Sequence, residues 1–66
     1  MKPEYTDDGL WAITLNGEPA LVNVVGTYGN RPDPVVYVED GLHKGFQLVI
    51  DWETGRIIRN LTEEVS

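Results

Sequence analysis

The chain has 66 residues, with eleven Asp or Glu against five Lys or Arg for a formal net charge of −6, no cysteine and one histidine. That length holds one domain (residues 1–66) with a thin core, burying about 60% of the surface its unfolded chain exposes. The composition excludes a disulfide framework, a thiolate metal site and an all-imidazole zinc site. The charge argues against direct contact with nucleic-acid phosphates or an anionic membrane surface, since both need clustered Lys and Arg.

The N-terminal run Met1-Lys2-Pro3-Glu4-Tyr5-Thr6-Asp7-Asp8 lacks the apolar stretch of a secretory signal, and nowhere are there about 18 consecutive apolar residues. The expectation is a soluble, cytoplasmic protein. The first strand is expected over residues 10–15, with Trp11, Ile13 and Leu15 on one face and Leu10, Ala12 and Thr14 on the other. Asn16-Gly17 follows, a strong signal for a two-residue hairpin because a type I′ turn needs positive φ at both positions. The second strand, residues 20–28, then pairs Leu15 with Glu18, Ile13 with Ala20 and Trp11 with Val22, which puts Val22 and Val24 on the Trp11 face. Pro19 has no amide hydrogen, so its position should face outward at a sheet edge.

Gly29-Asn30-Arg31-Pro32-Asp33-Pro34 reads as a loop, each proline holding its predecessor out of the α region. Further strands are expected over residues 35–39, 46–51 and 56–61. Asp40-Gly41 opens one turn, and residues 51–55 form another with Gly55 in the left-handed position of a bulge. The face of the last strand is ambiguous, since Ile57 with Leu61 competes with Ile58. The tail, residues 62–66, is too short for a helix that stands alone. The sum is an all-β domain of about five short antiparallel strands in meander order, with room for one short helix or helical turn. It would form a small barrel, SH3-like in size and strand count, or a curled sheet. A core so thin also makes a homodimer a reasonable arrangement.

Catalytic chemistry finds few residues to work with. Ser66 is the one serine, and His43 sits in a Gly-flanked loop with no nucleophile or orienting partner beside it in the pattern. The carboxylate pairs Asp7-Asp8, Glu39-Asp40, Asp51 with Glu53, and Glu63-Glu64 lack the ligand spacing of a calcium loop. No Gly-rich phosphate loop is present. The expectation is a protein that is not an enzyme and carries no metal or other cofactor. Asn60-Leu61-Thr62 matches a glycosylation sequon and is read as chance.

Two features have a functional reading. Tyr5, Trp11, Tyr28, Tyr37 and Trp52 either cap the core or, with the Arg31-Pro32-Asp33-Pro34 loop, offer aromatic anchors for a peptide or protein partner. The acids Asp7, Asp8, Glu39, Asp40, Asp51 and Glu53 lie at strand ends and turns, where they either solubilise the domain or combine into one negative surface. In length, charge and lack of catalytic residues the chain resembles, as a class, the small acidic proteins of phages and mobile elements that block host nucleases, the anti-CRISPR and other anti-defence factors. That resemblance implies a non-catalytic inhibitor in the host cytoplasm, mimicking DNA to cover a basic nucleic-acid-binding surface on a larger protein. The expected binding residues are those six acids with Trp52. The alternative is a small-barrel interaction module that uses its exposed aromatics.

Overall fold

The computed structural model describes residues 1–30 and 32–64. Arg31 of the expected loop, the Glu64 side chain, Val65 and Ser66 lie outside the described residues. The strands are β1 (Glu4–Tyr5), β2 (Trp11–Leu15), β3 (Glu18–Thr27), β4 (Pro34–Gly41), β5 (Gln47–Ile50) and β6 (Ile57–Asn60), followed by a one-turn helix α1 (Leu61–Glu64). They form a single antiparallel sheet in chain order, a curled meander that does not close into a barrel. No helix among the described residues is long and apolar enough to cross a membrane.

The β2–β3 hairpin follows the expected pairing, with Leu15 opposite Glu18, Ile13 opposite Ala20 and Trp11 opposite Val22. Asn16 and Gly17 both take positive φ, 50° and 88°, as the two-residue turn requires. Pro19 pairs with Thr14 and is exposed, just beyond the point where β4 ends against β3 at Gly41. A sixth strand, β1, joins the expected five and pairs Tyr5 with Trp11. Strand β2 starts at Trp11 because the Leu10 amide donates to Thr6 Oγ1 (3.1 Å) and its carbonyl accepts the Thr6 amide (2.8 Å), closing the β1–β2 turn.

Three bulges bend the sheet. Val25 is the extra residue of β3 between the pairs Val24–Val36 and Gly26–Val35. Glu39 is the extra residue of β4 between Asp40–Leu21 and Val38–Val22. Ile58 is the extra residue of β6 between Arg59–Val49 and Ile57–Ile50. All three are exposed, and each raises the local twist. The bulge at Ile58 also resolves the ambiguous face of the last strand, since Ile57 packs on the core and Ile58 faces out.

The curl brings the β2–β3 tip against the β5–β6 turn. The Asn16 amide donates to the Gly55 carbonyl (3.0 Å), and the Ile57 amide donates to Asn16 Oδ1 (3.0 Å). Inside the curl lie Ile13, Leu15, Ala20, Val22, Val36, Val38, Leu48 and Ile50, with Met1, Trp11, Phe46, Trp52 and Ile57 packed around them. Val35 and Val49, directly paired, are buried on the opposite face. Arg59, next in that row, reaches back to Tyr28, donating a 2.6 Å hydrogen bond to its hydroxyl with the guanidinium 5.3 Å from the ring centre. That contact ties β6 to the segment just after β3.

The sequon residues have structural tasks. Asn60 Oδ1 accepts the Thr62 and Glu63 amides (3.0 and 3.1 Å) as the N-cap of α1. Thr62 Oγ1 accepts the Gln47 amide (2.7 Å), which fastens the helical turn to β5.

Gly55 is the tightest point of the fold. Its φ is +78°, and a Cβ there would collide with the Thr14 carbonyl oxygen. Gly26 has no such φ and no neighbour within 4 Å of a built Cβ. Gly55→Ala is therefore expected to cost about 2–4 kcal/mol, the left-handed penalty plus overpacking. Gly26→Ala should stay within about 0.5 kcal/mol of the parent. Urea unfolding of both variants checks this. Equal midpoints would show that the Gly55 contact relaxes freely.

Candidate functional site

A shallow, open depression forms where two tryptophans meet. Trp11, from the first position of β2, and Trp52, from the β5–β6 turn, meet edge to face with ring centres 5.4 Å apart at 87°. Tyr5 packs on the other side of Trp11 at 5.0 Å and 65°. Trp11 and Trp52 are half-buried and Tyr5 is exposed. Val24 of β3, with Pro32 and Pro34 from the β3–β4 connection, completes a depression of about 440 Å³ with the two tryptophans. Val24 points to the Trp11 face as the pairing requires, yet it is 40% exposed because it lines this groove rather than the core.

A second depression of about 330 Å³ adjoins the first. It is lined by Pro32, Asp33, Asp51, Trp52 and Glu53, so the two share Pro32 and Trp52. The apolar groove therefore runs into an acidic one. The turn that carries Trp52 is stiff: the Gly55 amide donates to the Asp51 carbonyl (2.7 Å), the Asp51 amide to the Arg56 carbonyl (2.9 Å) and the Glu53 amide to Asp51 Oδ1 (2.9 Å). The opposite wall is stiffened by the fixed φ of its two prolines.

The expected acidic residues do not share one surface. Asp51 and Glu53 lie with Trp52 at the groove, joined by Asp33, which the expected acidic set omitted. Asp7 and Asp8 are exposed in the β1–β2 turn, beside the Tyr5–Trp11 end of the aromatic run. Glu39 and Asp40 stand near the far end of β4, about 20 Å of strand from Pro34. There Asp40 lines a separate depression with Ala12, Ile13, Pro19, Ala20, Leu21 and Gly41. Among the described residues, the carboxylates of Asp7, Asp8, Glu39, Asp40 and Glu53 have no hydrogen-bond or ion-pair partner. Asp51 differs, since one of its oxygens belongs to the turn.

The expected aromatic set also divides. Trp11 and Trp52 make the groove, with Tyr5 behind Trp11. Tyr28 is engaged by Arg59, and Tyr37 is on the outer face of β4 opposite Gln47. His43 is half-buried in the β4–β5 loop with its ring 6.2 Å from that of Phe46. No three carboxylate or imidazole groups among the described residues are placed to hold a metal ion together. Against family models, curated proteins and solved structures the chain finds no match.

The acids of the two classes should respond differently to truncation. Asp51→Ala is expected to lower stability by about 1 kcal/mol through loss of the bond that orders the turn. Asp7→Ala and Asp8→Ala should change it by less than about 0.5 kcal/mol. Thermal or urea melts of the three variants decide this. The same small effect at all three positions would mean that the Asp51 bond adds nothing to the fold.

Proposed function

We propose that this is a non-catalytic binding protein that engages a larger protein with a basic surface, and that the Trp11–Trp52 groove with its acidic extension is the surface it uses. The observation that carries this reading is the continuity of the two depressions, one apolar and one acidic, through Pro32 and Trp52. Half-exposed Trp side chains in a stiff frame are the usual energetic centre of an interface. Carboxylates at its margin favour a cationic partner and speed its approach. This joins the aromatic interaction module to the acidic binding protein.

The narrower form of the proposal is an acidic inhibitor that covers a nucleic-acid-binding surface, of the anti-CRISPR or anti-defence kind. It is supported by carboxylates without partners in the β1–β2 and β5–β6 turns, on either side of the Tyr5–Trp11–Trp52 run. Such groups remain available to a row of Lys and Arg that otherwise binds phosphates.

The test is capture of partners by the tagged protein, compared with Asp7→Lys/Asp8→Lys, Glu53→Lys and Glu39→Lys/Asp40→Lys variants. Washes at about 0.05 and 0.5 M salt bracket the range over which exposed charges become screened. The proposal expects a basic partner that Glu53→Lys weakens several-fold, that Glu39→Lys/Asp40→Lys leaves nearly unchanged, and that high salt weakens. The inhibitor form further expects added DNA to displace the protein and Asp7→Lys/Asp8→Lys to weaken it. A basic partner held equally with and without DNA would remove the inhibitor form and leave the binding module. A partner indifferent to every reversal and to salt would overturn the acidic contribution altogether.

A further inference from the structure

The paired depressions also carry information about what would fill them. We propose that the groove takes an extended, positively charged segment of the partner. One aliphatic or proline side chain of that segment sits against Trp11, Val24, Pro32, Pro34 and Trp52. A lysine or arginine a residue or two further along enters the acidic depression. This rests on the reading of the groove as the binding surface.

Among the described residues, the apolar half offers indole and proline faces with no charged side chain in its lining. Burying one aliphatic or proline side chain there removes apolar area from water on both partners. Among the described residues, the second half is lined by Asp33, Asp51 and Glu53 with no Lys or Arg, and Asp33 already has an interaction of its own. The Glu53 carboxylate is without a partner, and only Oδ1 of Asp51 is used by the turn. A cation in that half meets complementary charge, whereas an anion is repelled by it. The two halves share Pro32 and Trp52, so both are reached by side chains close together on one segment. In an extended chain, neighbouring side chains are spaced at about 3.3 Å per residue. The hydrogen bonds of the β5–β6 turn hold the Trp52 wall before anything binds, and the fixed φ of the two prolines removes backbone freedom from the other, which limits the ordering cost of binding.

Other occupants fit less well. A nucleic acid would bring phosphates against the carboxylates. A divalent cation finds no set of three ligands among the described residues. A second copy would bring two chains of net charge −6 together.

The protein has two tryptophans, so its indole N–H resonances report on the groove directly. The probes are four short peptides in one Gly/Ala host: Leu-Pro followed by two Arg, Leu-Pro followed by two Gln, Ala-Ala followed by two Arg, and Leu-Pro followed by two Glu. The first is expected to move both indole signals. It should bind about tenfold tighter than the Gln peptide at low salt, from two or three exposed charge contacts. High salt should close most of that gap. The Ala-Ala peptide should bind at least about tenfold more weakly for want of its apolar contact, and the Glu peptide should not bind. Val24→Arg fills the groove from a position outside the core cluster and should abolish the shifts; Glu53→Gln should weaken only the Arg peptides, about threefold.

Indoles that stay still with every peptide up to the solubility limit would overturn the proposal. So would equal binding of the Glu and Arg peptides. Indole shifts caused by raising the protein concentration alone would assign the groove to a second copy. Shifts caused by a single-stranded oligonucleotide would assign it to nucleic acid. If Val24→Arg releases the captured partner although no peptide moves the indoles, the groove reading stands and the extended basic segment falls. If the partner survives Val24→Arg, both fall.

Discussion

The contact between the tip of the β2–β3 hairpin and the β5–β6 turn governs the rest of the molecule. Six strands in meander order leave two edges, β1 and β6, with unpaired backbone groups. Full closure would remove them but needs a consistent shear around the ring. The chain instead bends its sheet with bulges and joins it at one point. Asn16 accepts from Ile57 through its side chain and donates to the Gly55 carbonyl through its backbone, while Gly55 lies against the Thr14 carbonyl. Only glycine permits that approach at positive φ. The Gly55–Thr14 approach and the Trp11–Trp52 ring contact both join the β5–β6 turn to β2. The groove thus draws on the same elements that hold the curl.

The core explains why these aromatics stay partly in water. Every buried core residue is Ala, Val, Leu or Ile, and no buried side-chain polar atom lacks a partner among the described residues. A sheet this small encloses a space that such side chains fill. The two indoles are too large for that interior and pack, partly buried, against it instead. Edge-to-face packing against each other and against Tyr5 adds about 0.5–1.5 kcal/mol per pair beyond area alone. The same packing holds the rings in fixed orientations, and their outer surfaces become walls of the groove.

Much of the fold is legible in short-range chemistry. Asn16-Gly17 sets the hairpin and its register, and glycine and proline positions mark the connections. What escapes is determined at longer range. Strand β1 has two residues and exists because Tyr5 pairs with Trp11 on a strand already in place. The bulges at Val25 and Ile58 fall within apolar doublets, where alternation gives no sign of which residue is extra. The N-cap at Asn60 has a suitable residue type, but the bond that keeps α1 in place runs from the distant Gln47 amide. At the site, the amount of negative charge is plain from composition while its distribution is not. Asp51 is occupied by its own turn, Asp40 faces another depression, and Asp33 joins the groove because proline geometry and the Tyr28 amide, which donates to its carbonyl (3.3 Å), close the β3–β4 connection.

Magnitudes indicate how the two halves of the groove divide the work of binding. An exposed carboxylate facing a cation contributes about 0.2–1 kcal/mol and fades with salt. A single aliphatic side chain moved from water to a well-fitted apolar wall contributes about 1.5–3 kcal/mol, nearly independent of salt. Affinity therefore depends first on the tryptophan side of the groove, and the acids set which segments arrive and in which orientation they lie. A strongly negative surface without the indoles would attract basic proteins with little discrimination. An indole groove without the acids would accept any apolar side chain. Placing the two in contact through Trp52 and Pro32 lets a domain of 66 residues select by charge and hold by apolar contact.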